Sequence, residues 1–326
     1  MALAEFDIIE RFFHRAGQHA EVRVGIGDDG AVLRVPSDNE LVVALDTLVA
    51  GVHFPADTAP FDVGWKALAV NLSDLAAMGA EPAWFTLALT LPKADAAWLE
   101  AFSRGLFALA DEWNLALVGG DTTRGPLTLS VQVAGHVPPG GALLRQGARP
   151  GDGLYVTGTL GDAAAALRDV LAGRAADAAQ RSRLDRPEPR LATGLGLRGL
   201  ARCAIDISDG LLADTAHLLA ASPGVGAVLQ RDALPLSPVL RRRLVQDPAL
   251  WDCVLDGGDD YELLFCVPPG REAELSALEA NTGETITRIG TIMAEPGLVL
   301  EEADGRRRAV TPHGYTHFAD AEEESP

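Results

Sequence analysis

Apolar and polar positions along this chain switch repeatedly between a period near 3.6 and a period near 2. That alternation predicts helices and strands in both halves. Phe6, Ile9, Phe12 and Phe13 fall at helical spacing and predict a short amphipathic helix over Phe6 to Arg15. Val22 to Ile26 and Ala31 to Val35 read as strands around Gly27-Asp28-Asp29-Gly30, and Leu41 to Leu45 as a strand ending at Asp46. Trp65, Leu68, Leu72, Leu75 and Met78 recur every three or four residues, which predicts a helix from Trp65 to Met78. Asn71 and Asp74 lie three apart on another of its faces. Strand Trp84 to Leu91, helix Ala94 to Trp113 and strand Leu115 to Val118 follow. Gly119-Gly120-Asp121-Thr122-Thr123-Arg124-Gly125 then reads as a glycine turn with a carboxylate at its tip, before a strand from Leu127 to Val137.

Pro138-Pro139-Gly140-Gly141 reads as a linker. Beyond it come strand Gly153 to Thr157, an alanine-rich helix to Leu171, and a polar loop or short surface helix over Ala172 to Arg190. Leu191 to Ala201 and Leu211 to Ala221 read as helices, with strand Cys203 to Ile207 and turn Ser208-Asp209-Gly210 between them. Strands are also expected at Val225 to Leu229, Val254 to Leu255, Tyr261 to Val267, Thr287 to Ile292 and Leu298 to Glu301. Helices are expected near Pro238 to Val245 and over Arg271 to Asn281. Strands alternating with helices predict two α/β (α+β) domains with mixed sheets, and 326 residues accommodate two domains of ordinary size. The acidic end, 319–326, reads as a disordered tail.

Charge narrows the function. Asp and Glu outnumber Lys and Arg 46 to 27, a formal charge of -19, which argues against nucleic acid or an anionic membrane surface as partner. The most apolar stretch, Ala67 to Leu91, is broken by Asp74, Glu81 and Pro82, so no membrane span is expected. The N-terminus lacks the basic start and apolar core of a signal peptide, and a cytoplasmic location fits. Three cysteines form no Cys-x-x-Cys pair, against structural zinc or a disulfide framework. The only lysines are Lys66 and Lys93, and no P-loop is present. Lys66 reads as a helix-surface residue with a snorkelling stem.

The candidate chemistry lies in the aspartates. Asp28, Asp29, Asp46, Asp121, Asp206, Asp209, Asp259 and Asp260 sit at strand ends and turns, and Asp74 sits on a helix. Any one of them reads equally well as a turn former, and Asp28 and Asp260 are the best structural candidates because each has a better-placed neighbour. Together they call for a hard divalent cation, since crowded carboxylates repel and all-oxygen donor sets favour Mg²⁺ or Ca²⁺. Carboxylates beside glycine turns read as a metal and nucleotide-phosphate site.

These motifs resemble, in order, those of the thiamine-monophosphate kinase family. Carrying the resemblance are Gly25-Ile26-Gly27-Asp28-Asp29, Asp46 to Phe54, Lys66 to Gly79, Gly119 to Gly125, Ile205 to Leu211 and Gly257-Gly258-Asp259-Asp260-Tyr261-Glu262-Leu263. The resemblance spans nearly the whole chain, from about Glu5 to Phe318. The wider superfamily includes aminoimidazole ribonucleotide synthetase and selenophosphate synthetase. It implies an N-terminal ATP- and Mg-binding domain at 1–138 whose sheets pair into a homodimer barrel, a linker at 139–150, and a C-terminal α/β domain at 151–318. It implies transfer of phosphate from ATP to thiamine monophosphate, with several Mg²⁺ held by Asp29, Asp46, Asp74, Asp121, Asp206 and Asp209. Gly120, Asp121, Arg145 and Ser208 match nucleotide contacts, and His53, Asp259 and Tyr315 match substrate contacts. Two positions depart from the family. Ala44 and Leu45 replace a Ser-Thr pair, so either would meet a metal only through its carbonyl, and Asp259 replaces a glutamate. Alternatives are another ATP-dependent member of the superfamily, or a metal-dependent phosphohydrolase or binding protein. Selenophosphate synthetase is disfavoured because no cysteine precedes Cys203.

Overall fold

The computed structural model describes residues 4–15 and 19–315; the expected tail at 319–326 lies outside them. The chain divides into two compact units, Met1–Leu143 with Asp185–Gly199, and Leu144–Leu184 with Leu200–Pro326.

In the first unit, α1 (Glu5–Ile8) runs into a π turn, Ile9–Phe13, and Phe13 packs edge-on against Phe102. A two-stranded pair, β1 (Val22–Val24) and β2 (Val32–Leu33), precedes a four-stranded sheet. Its strands are β3 (Glu40–Val49), β4 (Glu81–Leu91), β5 (Ala116–Arg124) and β6 (Thr128–Val137), in the order β3-β6-β4-β5. Helices α2 (Pro60–Ala77) and α3 (Ala96–Glu112) pack on each other and fill one face with Leu68, Leu72, Phe102 and Leu106. Pro60 in the first turn explains why α2 starts before the predicted Trp65: it lacks only an N–H that the helix start does not use. Asp95 caps α3, its Oδ1 accepting from the N–H groups of Ala97 and Trp98.

The opposite face of the sheet is open over much of its area. Leu41, Val43 and Leu45 point outward there, Leu45 at 59% exposure. At one end Val22 and Leu33 of the β1–β2 pair pack on Trp84 and Ala134.

The second unit contains β7 (Gly153–Thr157), α4 (Asp162–Leu171), the start of α5 (Ala178–Asp185), β8 (Cys203–Asp206), α7 (Leu211–Ala220) and β9 (Gly226–Gln230). After these come α8 (Pro238–Gln246), α9 (Trp251–Leu255), β10 (Leu263–Val267), α10 (Glu272–Thr282), β11 (Ile286–Met293), β12 (Gly297–Glu301) and β13 (Arg307–Ala309). Its seven-stranded sheet runs β13-β12-β9-β11-β7-β10-β8, antiparallel except for the β9–β12 pair. Mixed sheets thus occur in both units, as expected.

Three readings are corrected. Val254 and Leu255 are helical, in α9, because a short apolar run carries no period of its own. Tyr261 lies outside β10, which starts at Leu263. The segment Asp185–Gly199, placed by the sequence in the second domain, returns to the first unit. There the Trp65 indole donates to the Pro187 carbonyl at 2.8 Å, and Arg186 pairs with Asp62 at 3.2 Å. Helix α6 (Leu191–Leu197) presses against α2 through Gly194, where an added Cβ would lie 2.1 Å from the Ala76 carbonyl oxygen.

Candidate active site

In the first unit the aspartates belong to strands more than to turns. Asp46 lies inside β3, which continues to Val49. β3 is an edge strand, and the Asp46 N–H donates outward to Asn71 Oδ1 at 2.8 Å. Asn71 is fully buried and donates its own amide to the Ala67 carbonyl one turn back in α2. The helix therefore anchors the strand beside Asp46, and half-buried Asp74 follows Asn71 by three residues. An antiparallel ladder alternates inward and outward backbone groups. With Asp46 facing outward, the Ala44 carbonyl lies on the outer edge and the Leu45 carbonyl turns toward β6. Lys66 is 1% exposed, which corrects its reading as a surface residue: α2 is flanked by α3, α6 and the sheet and leaves it no solvent face there.

Gly119-Gly120-Asp121 is not a turn. β5 runs through it to Arg124, and the chain reverses at 125–127. A bulge at Val118 shifts the pairing with β4 from Phe85–Leu117 to Thr86–Gly119. Gly120 then sits so close to β4 that a Cβ would lie 1.9 Å from the Leu87 carbonyl oxygen. Across the sheet Asp46 pairs with Val131, Val131 with Leu87, and Leu87 with Gly120; the next row is Thr47, Ser130, Ala88 and Asp121. Hydrogen bonds between Thr47 and Ser130 at 2.7 Å and between Thr90 and Thr123 at 3.0 Å fix which residues share that second face. Asp121 consequently projects from the open face and Asp46 from the face toward α2. Three strand spacings separate β3, which carries Asp46, from β5, which carries Asp121, about 14 Å. The single carboxylate cluster expected from sequence is split by the sheet within one chain.

Asp29 is exposed, and its N–H is held by Asp28 Oδ1 at 2.9 Å, so Asp28 shapes the loop. His53 Nδ1 accepts from the Val49 N–H at 3.0 Å. That bond leaves the proton of the neutral ring on Nε2, as a donor.

The second unit gathers its expected residues. Asp206 ends β8 at 4% exposure. One oxygen of buried Asp214, Oδ2, accepts the N–H groups of Ser208, Asp209 and Gly210, each at 3.1 Å. Burial first, then the charges of Asp206 and Asp209, push the Asp214 carboxyl up to about 7. Ligand atoms of Asp209, Asp214 and His217 lie within 4.8 Å of one another. The Ser208 carbonyl accepts from the Asp259 N–H at 3.0 Å, and the Ile207 carbonyl from the Tyr261 N–H at 2.8 Å. The Asp209 carbonyl accepts from the Tyr315 N–H at 3.3 Å. Ser208, Asp209, Asp259 and Tyr315 thus surround one turn, with Asp206 at its entry. Arg145 is exposed and follows Leu144, whose carbonyl accepts from the Ala204 N–H of β8 at 2.9 Å.

Sequence reasoning missed the supports beneath this turn. Asp214 is one; its signal is a carboxylate placed in the first turn of a helix that follows a glycine. Glu262, fully buried, accepts from Thr157 Oγ1 at 2.6 Å and pairs with Arg183 at 2.5 Å. Both oxygens of Asp260 accept from the Gly161 N–H at 2.9 and 3.0 Å, the structural role expected of it. Burial holds the Asp260 carboxyl well above its usual range, against the Gly161 bond and Arg183. A carboxyl raised on folding stabilises least where it would ionise, so its contribution is lost as pH rises above the unfolded value near 3.8. Asp260→Asn keeps an acceptor for Gly161 without that loss. Its melting temperature relative to the unsubstituted protein is expected to climb as pH rises from about 4 toward neutrality. A difference that stays flat across that range contradicts this.

Two family models match successive stretches of the chain. The AIR synthase related protein N-terminal domain matches residues 27–137, and its C-terminal domain matches residues 149–302. Fold and acidic turns together define a two-domain AIR synthase related protein. A thiamine-monophosphate kinase of Escherichia coli O157:H7 is 48% identical over 98% of this chain and 99% of its own length. The thiamine-monophosphate kinase of Stenotrophomonas maltophilia K279a, a solved structure, superposes with a TM-score of 0.85 at 50% identity, covering 94% of this chain and 98% of that one. A second solved structure, AaThiL complexed with AMPPCP and TMP, gives 0.77 at 31% identity and covers 96% of each chain. The chain belongs to the thiamine-monophosphate kinase family and is a phosphotransferase. Among the described residues no helix is long and apolar enough to cross a membrane.

Proposed function

We propose that this chain transfers the γ-phosphoryl group of ATP directly to thiamine monophosphate, giving ADP and thiamine diphosphate. The observation that carries the reading is the turn at Asp206, Ser208 and Asp209, ringed by Asp259 and Tyr315, in a chain similar throughout to a protein solved with AMPPCP and TMP.

The acceptor needs little activation. The second ionisation of a phosphate monoester falls near pH 6, so the attacking oxygen is already mostly anionic at neutral pH. No general base or protein nucleophile is required, and positioning with charge neutralisation does most of the work. Gly120 admits phosphate beside the backbone, Ser208 and Arg145 hold the nucleotide, and His53 offers its Nε2 proton to the acceptor phosphate. Asp259 complements the cationic thiazolium ring, and Tyr315 stacks on it.

The donor chemistry fits Mg²⁺. Every ligand carried over from the family is an oxygen, a hard-donor set that suits Mg²⁺. Asp29, Asp46, Asp74 and Asp121 in the first unit and Asp206 and Asp209 in the second would hold several ions, with the Ala44 carbonyl as a further donor; the Leu45 carbonyl, turned toward β6, drops out of the expected set. When bound, Mg²⁺ would neutralise phosphate charge and support in-line displacement.

We also place the protein in the cytoplasm as a homodimer. The exposed Leu41, Val43 and Leu45 support a second copy closing the open sheet face into a barrel. Incubation with ATP, thiamine monophosphate and Mg²⁺ tests the function. Thiamine diphosphate and ADP in equal amounts are expected; free phosphate alone would identify a hydrolase, and absence of turnover a binding protein.

A further inference from the structure

We infer that Tyr261 is a positioning residue for substrate recognition: its hydroxyl sets the direction in which the Asp259 carboxylate meets the cationic ring. This rests on the proposal that Asp259 contacts thiamine monophosphate.

Asp259 and Tyr261 both adopt left-handed backbone, with φ of 68° and 51°. Such backbone is strained for a residue that carries a side chain, and it persists only where surrounding contacts over-determine it. Here the contacts are identifiable. The Asp259 N–H donates to the Ser208 carbonyl and the Tyr261 N–H to the Ile207 carbonyl, tying the loop to the proposed nucleotide and metal turn. Between the two strained residues, Asp260 anchors to Gly161, and next in sequence Glu262 is locked by Thr157 and Arg183. The backbone of Asp259 is therefore fixed from both sides.

Its side chain would still have a choice of χ1 wells. The Tyr261 hydroxyl donates to Asp259 Oδ1 at 3.0 Å and selects one. A carboxylate has about four acceptor sites, so one hydroxyl does not exhaust it. A loop built only for stability has no need of two left-handed side-chain-bearing residues whose tips meet. One built to aim a short carboxylate does.

The test is a double-mutant cycle on the full-length protein. Tyr261→Phe keeps the ring and removes one oxygen. It is expected to raise KM for thiamine monophosphate about tenfold, with KM for ATP and kcat at saturating substrate within about twofold. Asp259→Asn is expected to raise the same KM, and the double variant to be no worse than Asp259→Asn alone. If Asp259→Asn raises KM for thiamine monophosphate while Tyr261→Phe does not, the inference fails and the site reading stands. Equal rises for ATP and thiamine monophosphate in Tyr261→Phe, or additivity in the double variant, overturn it as well. If Asp259→Asn leaves that KM unchanged, Asp259 is not a substrate contact, and the inference falls with the site reading.

Discussion

Replacing Asp121 by Asn is expected to lower kcat/KM for thiamine diphosphate formation about 100-fold or more. The melting temperature should move by less than about 2 °C, because exposed substitutions away from packing rarely cost more than about 0.5 kcal/mol. The reason is geometric. Gly120 lets β5 press against the Leu87 carbonyl, and the bulge at Val118 sets the register that points Asp121 out of the open face. Asn keeps that shape and removes only the charge. Steady-state assays across a wide Mg²⁺ range check this; near-unsubstituted rates at every concentration would remove Asp121 from the metal set.

Arg183→Ala is expected to act through the fold. Glu262 is fully buried, and its charge is balanced by Arg183 with help from Thr157. Removing one partner of a buried pair costs about 3–5 kcal/mol, because the other charge stays desolvated. For a unit of this size that corresponds to a drop of about 10 °C in melting temperature. The loop carrying Asp259 should loosen with it, so KM for thiamine monophosphate should rise in molecules still folded at low temperature. Thermal melts and kinetics at about 15 °C separate the two effects; an unchanged melting temperature would show that Glu262 is not charged in the folded state.

Features set by local pattern were legible in the sequence. The 3.6 period from Trp65 to Met78 located α2, and strand, Ser-Asp-Gly and helix located the turn of the second unit. Features set by pairing across the chain were not. Gly119-Gly120-Asp121 has the composition of a turn, and only its register against Leu87 makes it a bulged strand. Asp46 and Asp121 each read as strand-end carboxylates, while the strand order β3-β6-β4-β5 puts them on opposite faces. Arg183 and Glu262 are 79 residues apart, and Gly161 and Asp260 are 99 apart, with no local motif linking either pair. The departure at Asp259 was visible as a shorter side chain. Its left-handed backbone and its bond to Tyr261 were not, because neither follows from residue type.

The direct transfer proposed above is a single displacement at phosphorus, with no covalent stop on the protein. The stereochemical course measures this directly. With ATP made chiral at the γ-phosphorus by isotopic or sulfur labelling, the terminal phosphoryl group of thiamine diphosphate is expected to show inverted configuration. Retention would require two displacements through a phosphorylated protein residue and would contradict direct transfer.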